Sequence, residues 1–150
     1  AGQERGIIDS NIYNDGTGAS VLTGGRRFSD SCSTDIFIHM DGQEVFKFAV
    51  KSVPTAIETL LHNNNMNVDD VDKFILHQAN VRIIESVAKR LKADKDKFPV
   101  NLNEYGNTSS ASIPILLDEL NRNGSLKQGE KLILAGFGAG LSWGSILLVW

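Results

Sequence analysis

At 150 residues, 41% hydrophobic and 22% charged, the chain has room for one domain with a buried core and the composition of an ordinary globular protein, not a disordered one. A net charge of -3 argues against a general nucleic-acid binder, and no apolar run is long enough to span a bilayer. The single cysteine, Cys32, excludes an internal disulfide and a cysteine-based metal cage; without a charged, apolar leader at its start, a cytoplasmic protein is the expectation.

The first 25 residues are rich in glycine and poor in apolar clusters. Within them Gly6-Ile7-Ile8 reads as a strand and Asn14-Asp15-Gly16 as a turn. Residues 24–34, with Arg26, Arg27, Asp30 and several serines, read as a surface loop, and Asp35 to Met40 alternates like a strand. Asp41 is placed to cap a helix, with Glu44 three residues on as in a capping box. Val45, Phe48, Ala49, Val53, Ile57, Leu60 and Leu61 follow at helical spacing until Asn63-Asn64-Asn65. Pro54 interrupts that run and predicts a kink or two abutting helices.

Asp69 to Asp72 turns into an apolar strand, Lys73 to His77. Asn80 is expected to cap a helix reaching Leu91, with Val81, Ile84, Ala88 and Leu91 as its buried stripe. After an extended piece at Phe98-Pro99-Val100, the turn Gly106-Asn107 feeds a helix with Ile113, Leu116, Leu117 and Leu120 inward, stopping at Asn123-Gly124. Lys131 to Gly136 and Ser145 to Trp150 read as closing strands of a hairpin. Alternating strands and helices with a terminal hairpin give an α/β protein: a mixed sheet with packed helices.

In such a sheet ligands gather at the carboxyl ends of the strands, where His77 and Asn107 both fall. A lone strand-end histidine reads equally as a satisfied core residue, and an asparagine after glycine as a turn residue. An imidazole and a carboxamide brought together are suited to donating hydrogen bonds to a carbonyl that becomes an enolate. Gly140-Leu141-Ser142-Trp143-Gly144 matches the spacing of a hydrolase nucleophile elbow, but a strand follows it and no histidine lies downstream, so that reading is rejected. Cys32 sits among Asp30, Asp35 and serines with no helix start or cation to lower its pKa, so it is not expected to be a nucleophile. Lys47, Arg82, Lys89 and Arg90 read as a solvated face or as one suited to an acidic partner.

His77-Gln78-Ala79-Asn80, Gly106-Asn107-Thr108-Ser109, Phe137-Gly138-Ala139-Gly140 with Trp143-Gly144-Ser145, and Asp41-Gly42-Gln43-Glu44-Val45-Phe46-Lys47 occur in this order. Together they resemble the C-terminal half of the β-ketoacyl-acyl carrier protein synthase III family, condensing enzymes of the thiolase superfamily. The resemblance implies one half of a thiolase-like fold over residues 35–150, preceded by a connecting segment at 1–34, with the half that carries the nucleophilic cysteine absent. It implies a decarboxylative Claisen condensation of acyl-CoA with malonyl-acyl carrier protein, initiating fatty acid synthesis, with CoA thioesters as substrates and no resident cofactor.

On the same resemblance, His77 and Asn107 stabilise the enolate. A backbone N–H near Ala139, where similar enzymes usually carry glycine, serves the acyl-transfer oxyanion hole, and Phe137 walls the site. Phe46, Asn80 and Ile83 line a pantetheine tunnel, and Lys47, Arg82, Lys89 and Arg90 meet the carrier protein. The implied partners are acyl-CoA, malonyl-acyl carrier protein, the N-terminal half and a second copy of the complete enzyme, with neither nucleic acid nor membrane. The chain alone is expected to form no ketoacyl product, and the surface facing the absent half is expected to be an apolar patch. Two rival expectations are another thiolase-superfamily condensing enzyme and a non-catalytic half that binds CoA or carrier protein.

Overall fold

The computed structural model of the chain describes residues 5–24 and 37–150. Cys32, most of the polar loop at 24–34 and the first two residues of the strand expected from Asp35 lie outside the described residues. Four strands form a mixed sheet in the order β1-β6-β5-β4. They are β1 (Gly6–Asn14), β4 (Lys73–Leu76), β5 (Lys131–Gly138) and β6 (Ser142–Val149). Strands β4 and β5 are parallel, whereas β5 with β6 and β6 with β1 are antiparallel. A separate antiparallel pair joins β2 (Leu22–Gly24) to β3 (Ile38–Met40).

One face of the sheet carries α1 (Gly42–Asn63) and α2 (Val81–Leu91), whose inner residues enclose Phe74, Leu76, Ile133, Ala135 and Leu147 in the main core. A smaller cluster joins Ile75 and Leu132 to Leu116 and Leu120 of α4 (Ser112–Arg122). Burial on both faces explains why β4 reads as an unbroken apolar run. Its Phe74 is fully buried and stacks on Phe98, with ring centroids 4.6 Å apart and planes at 5°. That contact draws the extended piece at Phe98 onto the core.

Local signals account for most boundaries. Asp41 Oδ1 accepts hydrogen bonds from the backbone N–H groups of Gln43 and Glu44 and so starts α1. Glu44 does not complete a capping box; it pairs with Lys47 at 2.7 Å. The Asn80 side chain accepts from Arg82 N and starts α2. Gly124, at φ 75°, follows the end of α4.

Three expectations need correction. Helix α1 is one element through Pro54, so of the two expected alternatives, a kink or two abutting helices, the second does not hold. Proline has no N–H for the Val50 carbonyl four residues back; the Arg90 guanidinium donates to that carbonyl at 3.5 Å, and Pro54 itself is buried. Val81 is 42% exposed, so the buried face of α2 is Ile83, Ile84, Val87, Ala88 and Leu91. Strand β1 extends through the polar segment Asp9-Ser10-Asn11, because β6 supplies its ladder and Asn11 finds partners: its side chain accepts from Ser145 N and Oγ and donates to Ala56 O. The other elements begin and end close to the expected residues, with a short helix α3 (Leu102–Tyr105) added before Gly106.

The elbow-like Gly140 to Gly144 segment is the turn into β6, and Ser142 Oγ is hydrogen-bonded to Asn14 Oδ1. No described helix is long and apolar enough to cross a membrane. Apolar side chains are exposed on β1 (Ile7, Ile12), at Phe37 before β3 and on β3 itself (Ile38, Met40), and Ile38 and Met40 line the cavity described next.

Candidate active site

A cavity of about 600 Å³ opens at the carboxyl ends of β4 and β5. His77, Asn107, Phe137 and Ala139 all line it, together with apolar residues of β2 and β3 (Leu22, Ile38, Met40). Among the described residues of its wall, His77 is the one titratable side chain. An uncharged, largely apolar wall strengthens any hydrogen bond made inside it.

His77 follows the last residue of β4, and its N–H still donates to Ala135 O of β5, so the backbone beneath the imidazole belongs to the sheet. The ring is held on two sides. Nδ1 lies 2.7 Å from Ser112 Oγ, on the first residue of α4. Phe137 meets it edge-on, with centroids 5.4 Å apart. Burial lowers the His77 pKa below its ordinary 6.5, because a charged imidazolium loses solvation there, so the ring is neutral at pH 7. Phe137 is braced by Phe48, which contacts Trp143, which stacks on Tyr13; the aromatic series thus runs from the cavity to β1.

Asn107 arrives by a different route. Gly106 turns the chain out of α3 at φ 67°, a left-handed conformation that glycine adopts without steric cost. Asn107 is exposed, and its Oδ1 accepts from Ser109 N at 2.9 Å. With the oxygen so engaged, the two N–H donors of the carboxamide are left to point elsewhere.

A buried polar network ties the two arms together. Gln78, 1% exposed, donates from Nε2 to Leu76 O and accepts from Asn101 N; Asn101 donates in turn to Glu119 of α4. Gln78 is thus a structural part of the motif that carries His77.

Of the other expected site residues, Ala139 occupies the turn between β5 and β6. Phe46 is half-buried against the main core, Asn80 is exposed as the α2 cap, and Ile83, 5% exposed, sits inside that core; the cavity wall includes Ala79 but none of these three. Lys47, Arg82, Lys89 and Arg90 are all exposed, on the second turn of α1 and along α2. Sequence reasoning missed Ser112 as a site residue. It read as one of a run of small residues, and nothing local to it reports a histidine 35 positions away.

Comparison with known proteins follows the same lines. The family model described as 3-oxoacyl-[acyl-carrier-protein] synthase III C terminal matches residues 61–150. A protein of Clostridium acetobutylicum named beta-ketoacyl-[acyl-carrier-protein] synthase III is 44% identical over 99% of this chain and 48% of its own length. The protein of the same name from Clostridium tetani is 45% identical over 98% of this chain and likewise 48% of its own. Among solved structures, the Thermus thermophilus beta-ketoacyl-[acyl-carrier-protein] synthase III superposes with a TM-score of 0.90 at 37% identity, covering 99% of this chain and 47% of that one. The Pseudomonas aeruginosa 3-oxoacyl-(acyl carrier protein) synthase III gives the same score at 34% identity. The chain spans about half the length of the relatives it matches.

Proposed function

Because this chain belongs to the 3-oxoacyl-[acyl-carrier-protein] synthase III family and matches its C-terminal part, we propose that it is the decarboxylating half of a condensing enzyme. The observation that carries the reading is one cavity wall holding a partly buried imidazole, whose pKa burial lowers, and a carboxamide whose oxygen accepts from Ser109 N.

In the proposed reaction a malonyl thioester lies with its thioester oxygen toward His77 and Asn107. The bond between the α-carbon and the carboxylate breaks, CO2 leaves, and the electron pair is delocalised onto the thioester oxygen as an enolate. His77 and Asn107 donate hydrogen bonds to that oxygen. Donors fixed before charge develops need no reorganisation, and in a cavity with no other charged side chain among its described residues they act with little screening. The enolate carbon then attacks an acyl group carried on a cysteine thiolate of the N-terminal half; the C–S bond breaks and the thiolate leaves, giving the β-ketoacyl thioester. A backbone N–H near Ala139 would share the oxyanion hole for the acyl-transfer steps, with Phe137 walling the site.

On this reading acyl-CoA and malonyl-acyl carrier protein are the substrates. The exposed Lys47, Arg82, Lys89 and Arg90 are suited by charge to an acidic carrier protein. Phe46 and Asn80 would meet the pantetheine arm near the α2 start, with Ile83 supporting them from the core. The 150-residue chain alone forms no product, since it lacks the half that holds the nucleophile.

The test is ketoacyl formation from acetyl-CoA and malonyl-acyl carrier protein by the chain alone, by the chain with a separately expressed N-terminal half, and by that mixture carrying His77→Ala. Activity confined to the unsubstituted mixture is expected. Condensation by the pure chain contradicts the division of labour. Tight CoA or carrier-protein binding without turnover, in a mixture shown to be folded and associated, identifies a binding module instead.

A further inference from the structure

We propose that Ser112 sets the tautomer of His77, holding the imidazole proton on Nε2 by donating its own hydroxyl proton to Nδ1. Ser112 is thereby a positioning residue for the donor role given to His77 above, and the inference deepens that reading.

The protons around one oxygen fix the tautomer. Ser112 Oγ lies 2.7 Å from His77 Nδ1 and 3.2 Å from the backbone nitrogen of Gln78. The Gln78 N–H can only donate, so it occupies one lone pair of Oγ. A hydroxyl has one proton and two acceptor positions. If Nδ1 also carried a proton, Oγ would accept twice and its own proton would need a third partner. Ser112 is 2% exposed, which leaves it little contact with water even at the cavity wall, and no other protein contact of Oγ is present among the described residues. A buried hydroxyl proton without an acceptor is costly. The opposite arrangement satisfies every group: Gln78 N–H to Oγ, and Oγ–H to an unprotonated Nδ1.

A neutral imidazole with Nδ1 as acceptor carries its proton on Nε2. Nε2 is not among the buried unpartnered polar atoms of the described chain, so it is open to the cavity that His77 lines. The sheet supplies the rest of the geometry: Ser112 opens α4, Gln78 follows His77, and both are buried, so the two partners of Oγ approach it from a fixed loop. With the tautomer reversed, the cavity would meet a lone pair, which repels an oxyanion.

The chain has three histidines, so nitrogen-15 spectra of the histidine-labelled protein resolve His77 by comparison with His77→Gln. The expected spectrum shows a pyridine-type Nδ1 and a proton-bearing, pyrrole-type Nε2. Ser112→Ala is expected to raise the fraction carrying the proton on Nδ1, and Ser112→Thr, which keeps a hydroxyl, to restore the original form. In the mixture with the N-terminal half, Ser112→Ala should lower the decarboxylation rate about three- to tenfold, the size of one net hydrogen bond, with KM little changed. A wild-type His77 bearing its proton on Nδ1, or an unmoved tautomer in folded Ser112→Ala, overturns the inference. The wild-type spectrum decides even if that variant does not fold. Since the spectrum needs no substrate, its outcome is independent of the functional reading, which fails separately if His77→Ala decarboxylates normally.

Discussion

The two arms of the site are held by different physics. His77 stands on a strand buried on both faces, its N–H in the β4–β5 ladder and its ring fixed by Ser112 and Phe137. Asn107 stands on an exposed turn, shaped by a left-handed glycine and one bond from a neighbouring backbone N–H. The first arm is specified by long-range packing and the second by local turn chemistry, with the Gln78–Asn101–Glu119 network joining them. The difference shows where each arm is vulnerable: the core controls the imidazole, and the loop controls the carboxamide.

Phe74→Ala attacks the first arm from below. Phe74 is fully buried and stacked on Phe98, and deleting such a ring costs about 3–5 kcal/mol. Denaturant unfolding should show that loss, whereas Tyr105→Ala, at a 49% exposed position beside the second arm, should show little. Removing a donor directly is the next test. His77→Ala and Asn107→Ala should each lower the reconstituted rate by about 10²–10³-fold, as lost oxyanion donors do, without unfolding the chain. A double variant no worse than either single one would mean that the two donors act as a unit, sharpening the comparison into dependence.

Gly106→Ala tests the loop alone. At φ 67° and ψ -162° no neighbouring atom lies within 4 Å of an added methyl group, so the penalty is backbone strain, about 1–3 kcal/mol. Activity should fall more than stability, because Asn107 is displaced while the core is untouched. The smallest effect expected is that of pH on the first arm. Burial depresses the His77 pKa, so between that value and 6.5 the unfolded chain binds a proton that the folded one does not. Stability from this group is therefore full above pH 6.5 and declines as pH falls below it. His77→Gln should flatten that part of the stability profile, and the acid limb of activity due to His77 should lie below pH 6.5.

The same contrast explains what could be read from the sequence. Helices α1, α2 and α4 are legible because their signals are local: Asp41 and Asn80 bond within three residues, and Gly124 ends a periodic apolar stripe. His77 and Asn107 are legible as candidates because each follows a recognisable element, a buried strand and a Gly-Asn turn. What escaped depends on residues far apart in the chain. The polar half of β1 is a strand only because β6 lies beside it, and α1 runs through Pro54 with Arg90, 40 positions from Val50, serving the carbonyl that proline leaves. Val81 keeps the apolar spacing yet is 42% exposed at the first position of α2, while Ile83, outside the expected stripe, is buried in the core. Ser112 escaped for the same reason.

The most direct test of the account is CO2 release from malonyl-acyl carrier protein by the chain paired with its N-terminal half, with no acyl donor present. Decarboxylation is the step assigned to this half, and this measurement separates it from condensation. The account predicts release that falls by about 10²–10³-fold in both His77→Ala and Asn107→Ala. Undiminished release from the folded, associated double variant would contradict it.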